Sequence, residues 1–433
     1  MGKNDIIVND TKISVVIINV FISYLLVVLG VIFRPIMYVA FVYVCVKLFL
    51  SKDKFAVTLL LVPLAHVAVI FKLSPQSSSL FTYIQIIAVI KYFLLNRKIN
   101  SKVFLYWFFF MIYLIIGFLL NSIYVGFSNI TDLIKVCMWP LLFYFLIDSV
   151  DNENKTSVLK LYVVCVFITS VLGLTSTFIP NMEAFVTYKD VHLGKTDLGF
   201  ISAIRFSGLV GDANFYSILL IIAVLISIFL WRKNAIKAWM FYVIYFCLAA
   251  LGGMTGSKSF LVMLVVVTIV IIYELFKIKK YRSGIAFSII IFLAVFLLVS
   301  GYISAFDLVF NRLNGVTTVN DLTTGRSELW SEYIENILRN PLKCILGNGI
   351  GVGHSFVHYP HNTYIDFVDI LGIAGTILLL LTLFYSIKVK NRLEHDNRFW
   401  LGFLPVMFMY FSLSMFYSTD LVFQLFVISC FVL

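Results

Sequence analysis

Three histidines crowd one short stretch, GHSFVHYPHNTYIDF: His354, His358 and His361. A neutral imidazole can take a proton from a hydroxyl near neutral pH. His361 stands where the chain turns back into an apolar run, which makes it the sharpest candidate for a general base. Its plainer role is an interfacial histidine that hydrogen-bonds the loop. The spacing also invites zinc, but no carboxylate-rich partner of the HExxH kind accompanies it, and no metal is expected. Two arginines occupy comparable places. Arg205, in AIRFSGLVGDANFYS, precedes an apolar run, and Arg326 opens an amphipathic one. Guanidinium forks bind phosphate oxygens through paired, charge-assisted hydrogen bonds. One such arginine would read as a lipid headgroup contact or a helix cap; two beside a histidine point to a phosphate-bearing substrate. Lys258, in GGMTGSKS, either adds a third positive charge at that depth or snorkels.

Other polar signals are weaker. Lys135 follows Asp132 by three residues inside an apolar run, a spacing that pairs them on one helical face. GNGIGVG matches neither GxGxxG nor GxxxxGK[ST] and reads as a flexible approach to the histidines. Of the six cysteines all but Cys344 lie in apolar runs, so neither a disulfide framework nor a metal site follows. The polar start MGKNDIIVNDTK predicts no cleavable signal peptide.

The elements that must position these residues are membrane spans. Hydrophobic residues make up 61% of the 433 and charged residues only 13%, against roughly 25% charged in soluble domains. The spacing of apolar runs predicts fourteen spans, near 13–32, 35–50, 55–72, 79–95, 103–120, 129–147, 157–179, 213–231, 238–253, 258–276, 284–303, 363–387, 398–414 and 418–433, and twelve or thirteen if the short ones fail. The expected fold is all-α, a polytopic transmembrane helical bundle forming one integral membrane domain over 1–433.

The net charge of +11 follows the positive-inside rule rather than nucleic-acid binding. Basic residues populate every second connection, which places both termini in the cytoplasm. Most of the remaining cations (Lys189, Lys195, Arg205, Arg312, Arg326, Arg339 and Lys343) fall in two long outer loops, 180–212 and 304–362. Loops of that length are uncommon unless functional or disordered. The second holds its own amphipathic helix, about 326–339, with Leu329, Trp330, Tyr333, Ile334, Ile337 and Leu338 on one face, Thr324 or Ser327 as a cap and Pro341 as a stop. Such a helix would lie along the interface or roof a cavity.

Three pieces of sequence resemble the O-antigen polymerase and O-antigen ligase superfamily. They are R-F-S-G-L-V-G-D-A-N-F after the first long loop, G-R-S-E-L-W with N-P and G-x-G-x-G in the second, and H-N-T-Y-I with L-G-I-A-G at its re-entry. Together they cover about 80 residues. The resemblance implies transfer of a glycan from undecaprenyl pyrophosphate at the periplasmic face of the bacterial inner membrane, with no cofactor, metal or nucleotide. Carried over, His361 matches the catalytic histidine, and Arg205 and Arg326 match the pyrophosphate-holding arginines. Lys258 stands where the family often has arginine. Asn214, Asn362, His358 and Tyr364 are secondary candidates for substrate contact. The implied partners are an undecaprenyl-pyrophosphate-linked oligosaccharide, membrane lipids and a chain-length regulator.

The expected activity is that of an O-antigen polymerase, with another lipid-linked repeat unit as acceptor. The alternative is an O-antigen ligase, with lipid A–core as acceptor. A flippase or other transporter would show an internal repeat and midplane charges, whereas this chain has long loops instead. A metal-dependent phosphosugar transferase would place carboxylates in the first outer loop, which here is Phe33–Arg34–Pro35.

Overall fold

The computed structural model describes residues 3–95, 99–125, 130–185, 190–196, 199–277, 284–291, 318, 323, 325–350, 360–390, 400–416, 418 and 420–432. Helices dominate. Along the chain they are α1 (Lys3–Ile32), α2 (Pro35–Leu50), α3 (Lys54–His66), α4 (Leu80–Leu95), α5 (Ser101–Val125), α6 (Ile130–Ser149), α7 (Lys155–Leu174) and the short α8 (Met182–Phe185). After a hairpin come α9 (Ala213–Arg232), α10 (Ala238–Met254) and α11 (Lys258–Lys277). Then follow α12 (Arg326–Arg339), α13 (Pro341–Leu346), α14 (Thr363–Lys390), α15 (Trp400–Met409) and α16 (Asp420–Val432).

Six helices among the described residues (in α5, α6, α7, α9, α11 and α14) are long and apolar enough to cross a membrane, and six shorter apolar helices accompany them. The chain is a multi-pass membrane protein. At about 1.5 Å per residue, a helix of 13 residues such as α3 reaches roughly 20 Å, short of the ~30 Å hydrocarbon core. Such helices complete the bundle by packing on longer neighbours. α9 is the central pillar: 89% of its apolar window is buried inside the protein, whereas α5 turns most of its apolar surface outward toward lipid.

Three local outcomes differ from the sequence reading. The span expected at 55–72 ends at His66, and the following residues fold inward as a buried non-helical loop. That loop satisfies its own backbone: Ser79 Oγ donates to the Ala68 carbonyl at 2.6 Å, and Leu80 N to the Phe71 carbonyl at 2.8 Å. Irregular backbone at membrane depth requires such internal pairing. The first long loop contains an antiparallel hairpin, β1 (Asp190–Thr196) and β2 (Gly199–Ile204), with Asp190 opposite Ile204; helical periodicity gave no sign of it. Finally, Cys344 belongs to α13 rather than to a loop.

Helix α12 spans 326–339 with Gly325, not Ser327, at its N-cap, and Thr324 lies outside the described residues. Its first residue follows Gly325, which adopts a left-handed conformation, and Thr323 Oγ1 accepts from the Ser327 N–H at 3.1 Å. Its packed edge is Tyr333 and Ile337; Ile334 and Leu338 instead join Leu342 and Ile345 of α13 in an exposed apolar strip.

Candidate functional site

The connections at one end of the bundle converge on a cavity of 580 Å³. The α3–α4 loop contributes Lys72, the segment before α9 contributes Arg205 and Asp212, the first turn of α9 contributes Asn214, and α12 contributes Arg326. His361 enters from the approach to α14, and Ser412, Leu413 and Ser414 from the link between α15 and α16. Arg205, Arg326, Asn214 and His361, singled out over more than 150 residues of sequence, therefore line one space.

The segment RFSGLVGDANF explains how Arg205 is held. Phe206 N donates to the Met254 carbonyl at 3.0 Å, anchoring the segment on the end of α10. Gly208 then turns the chain with φ +56; a Cβ there would fall 2.6 Å from the Tyr216 ring. Only glycine meets both demands at little cost. Asp212 caps α9, accepting from the Asn214 and Phe215 N–H groups, as acidic N-caps do. Arg205 itself is buried, with Nε donating to the Thr255 carbonyl at 2.6 Å and Nη2 to Asn214 Oδ1 at 2.9 Å. The Thr255 carbonyl and the Asn214 side chain thus hold the guanidinium at the cavity wall.

Arg326 is placed by its own helix. Nη1 donates to the Ser412 carbonyl at 2.8 Å. Burial draws the guanidinium down from its ordinary pKa, and the Asp212 carboxylate opposes that shift. One turn along α12, Trp330 Nε1 donates to the Pro360 carbonyl at 2.8 Å, tying the helix to the residue before His361. His361 adopts φ +49, a left-handed conformation that histidine tolerates better than most residues yet uncommonly adopts. Strain of this kind gathers at functional sites.

The other sequence candidates are placed differently. Lys258, at the start of α11, lines a neighbouring 190 Å³ cavity with Ser259, Thr323, Trp330, Phe408 and Phe411. The two cavities share Asn214, Arg326 and Ser412, so Lys258 sits beside the main cavity rather than in it. Asn362 is buried, and its Oδ1 accepts from Tyr364 N at 3.0 Å and Ile365 N at 3.2 Å. It is the cap of α14, and its carbonyl oxygen is occupied by backbone. Tyr364 points into an apolar pocket behind the site and donates its hydroxyl to the Met407 carbonyl at 2.8 Å. His354 and His358 lie outside the described residues. Lys135 and Asp132 form the expected pair at 2.9 Å.

Sequence reasoning missed Lys72. It sat at the end of an expected span, and only the inward fold of the α3–α4 loop brings it to the cavity. Burial, and then the nearby Lys135, lower its pKa. Its one sequence signal was a charge on the outer side of a chain whose basic residues otherwise gather inside.

No family model matches the chain, and no solved structure matches it. The chain is similar to the ComP-specific O-oligosaccharyltransferase of Acinetobacter baylyi, with 23% identity over 361 residues, 77% of this chain and 63% of that protein. It thus spans a little under two thirds of that relative's length. A multi-pass chain with distant likeness to an oligosaccharyltransferase agrees with the ligase side of the superfamily that its motifs resemble.

Proposed function

We propose that this protein is a metal-independent glycosyltransferase that moves a glycan from a polyprenyl pyrophosphate, undecaprenyl pyrophosphate in bacteria, onto an acceptor hydroxyl. The observation that carries the reading is the meeting of Arg205, Arg326 and His361 in one cavity. The barrier to breaking a glycosyl–phosphate bond lies largely in the charge that develops on the departing oxygen. Arginines already fixed by neutral carbonyls stabilise that charge without reorganising. His361 takes the acceptor proton as the new glycosidic bond forms, and the pyrophosphate leaves with the bonding electron pair. Acting as base, it supplies about 10²–10⁴-fold. Direct displacement inverts the anomeric centre.

On this reading the loops 180–212 and 304–362 are periplasmic, the termini cytoplasmic and the membrane the inner one, as the basic residues suggest. The smaller, aromatic cavity beside Arg326 suits the apolar part of the donor, with Lys258 in its wall. The acceptor is the point at which the sequence expectation shifts. The polymerase reading rested on the superfamily as a whole, whereas the relative's name describes an oligosaccharyltransferase. That likeness supports the ligase type, in which the assembled glycan passes to an acceptor other than a lipid-linked repeat.

The test is the surface glycan of a strain lacking this protein. Unattached, fully polymerised lipid-linked glycan supports the ligase type. A core bearing a single repeat supports polymerase, and loss of all glycan from the periplasmic face points to export and overturns the transferase.

A further inference from the structure

The cavity holds a cation that the arginine–histidine reading does not use. Lys72 is half-buried and lines the same 580 Å³ space as Arg205, Arg326 and His361. Among the described residues its ammonium makes no ion pair or side-chain hydrogen bond. Lys135, paired with Asp132 at 2.9 Å, repels Lys72, and Asp212, the carboxylate on the same cavity wall, interacts with Arg326. Withdrawing a charge from water without a partner is costly, so such a group is balanced by an anion that arrives. A second observation points the same way. Ser414 Oγ is shielded from water, lines that cavity and has no hydrogen-bond partner among the described residues. A hydroxyl held in this way is a donor in waiting.

We propose that Lys72 and Ser414 form a second phosphate subsite, so that Arg205 and Arg326 hold one phosphate of the donor and Lys72 with Ser414 the other. This rests on the proposed donor class. Chemistry gives the subsite a purpose. When the glycosyl–oxygen bond breaks, its electron pair stays on the phosphate, and the prenyl pyrophosphate leaves with one more negative charge than the intact donor carried. Asp212, on the same cavity wall, offsets part of the charge of Arg326. Lys72 supplies the positive charge that the leaving group gains a need for, and does so where low polarity strengthens it.

The experiment is calorimetric binding of farnesyl pyrophosphate and farnesyl monophosphate to the full-length protein in detergent. Lys72→Met is expected to weaken the pyrophosphate about tenfold or more, the worth of one charge-assisted hydrogen bond, and the monophosphate less than about threefold. Ser414→Ala should follow the same pattern more weakly, and Lys72→Arg should recover most of the loss. Lys72→Gln serves with the same expectations if the methionine variant does not stay monodisperse. Arg205→Ala separates the two ideas, since it should lose both probes. If Arg205→Ala loses them while Lys72→Met and Lys72→Gln bind both like wild type, or lose both equally, the second subsite is wrong and the donor reading stands. If wild type binds neither probe, both fall.

Discussion

Gly347 and Gly372 lie back to back. A Cβ on Gly347 would fall 2.4 Å from Gly372 N, and a Cβ on Gly372 would fall 2.4 Å from Gly347 N. Both have positive φ, +71 and +63. At this crossing α14 breaks, and the end of α13 runs along the break. Asn348 N donates to the Asp369 carbonyl at 2.7 Å and Gly349 N to the Ile370 carbonyl at 2.9 Å. The Tyr113 hydroxyl of α5 lies 2.6 Å from both the Leu346 and Leu371 carbonyls. The loop that ends in His361 is therefore fastened to the bundle at its entry as well as at its exit.

Gly347→Ala or Gly372→Ala should each lower stability by about 2 kcal/mol or more, since overpacking typically costs 1–3 kcal/mol and the left-handed backbone adds to it. A melting curve of the purified protein in detergent reads this directly. An unshifted midpoint would mean that the two segments separate readily.

Arg205→Ala and Arg326→Ala should each reduce glycan transfer about 100-fold or more, the usual cost of removing one preorganised donor, with normal expression. Lysine should rescue only partly, because an ammonium lacks the fork that reaches the Thr255 carbonyl and Asn214 together. Transfer is measured on lipid-linked oligosaccharide, and EDTA should leave the rate unchanged.

His361→Gln should be nearly as inactive as His361→Ala, about 10²-fold down or more, while donor binding persists. Glutamine repeats a hydrogen bond but not a proton transfer. Asn362→Ala, in contrast, should act through the α14 cap, costing about 1 kcal/mol of stability and shifting activity mainly as folding is lost. Wild-type turnover by His361→Gln would make the histidine a structural residue.

Lys72 gives a pH signature. Its pKa in the folded protein lies below the ordinary 10.5, so between the two values the unfolded chain holds a proton that the empty site does not. Stability of the ligand-free protein should therefore rise with pH across that window, and Lys72→Met should remove the rise. Binding an anion favours the charged ammonium, so farnesyl pyrophosphate should bind with proton uptake in the same window. Titrations in two buffers of different ionisation enthalpy measure the uptake. His361, Arg205, Arg326, Asp212 and Lys135 remain in both proteins, so the difference isolates Lys72.

Cysteines placed on the exposed strip, Leu338→Cys and Leu342→Cys, should react with a membrane-impermeant reagent in spheroplasts. Labelling only after lysis would reverse the orientation.

Much of this site was legible because cations are scarce in an apolar chain. Arg205, Arg326 and His361 each stood out against the runs beside them, and their loop lengths suggested convergence. Hydropathy also marked the helices, whose ends fall within a few residues of the apolar boundaries for most elements. It could not show that the backbone after His66 leaves the helix and folds inward, because buried loop and buried helix share one composition; Lys72 was lost with it. Asn362 and Tyr364 do not line the main cavity, for a related reason. Proximity to His361 in sequence says nothing of direction, and a helix start turns successive side chains onto different faces. The hairpin at 190–204 was hidden because its strands are short and lie in a polar loop.

The bond from Trp330 to the Pro360 carbonyl makes α12 a ruler. Arg326 marks one end, and the tether of His361 lies four residues on, about 6 Å along the axis. The proposed leaving-group cation and the proposed base are thus gauged against the same rod. On the proposed mechanism, that rod sets the distance over which bond breaking and proton removal must be matched.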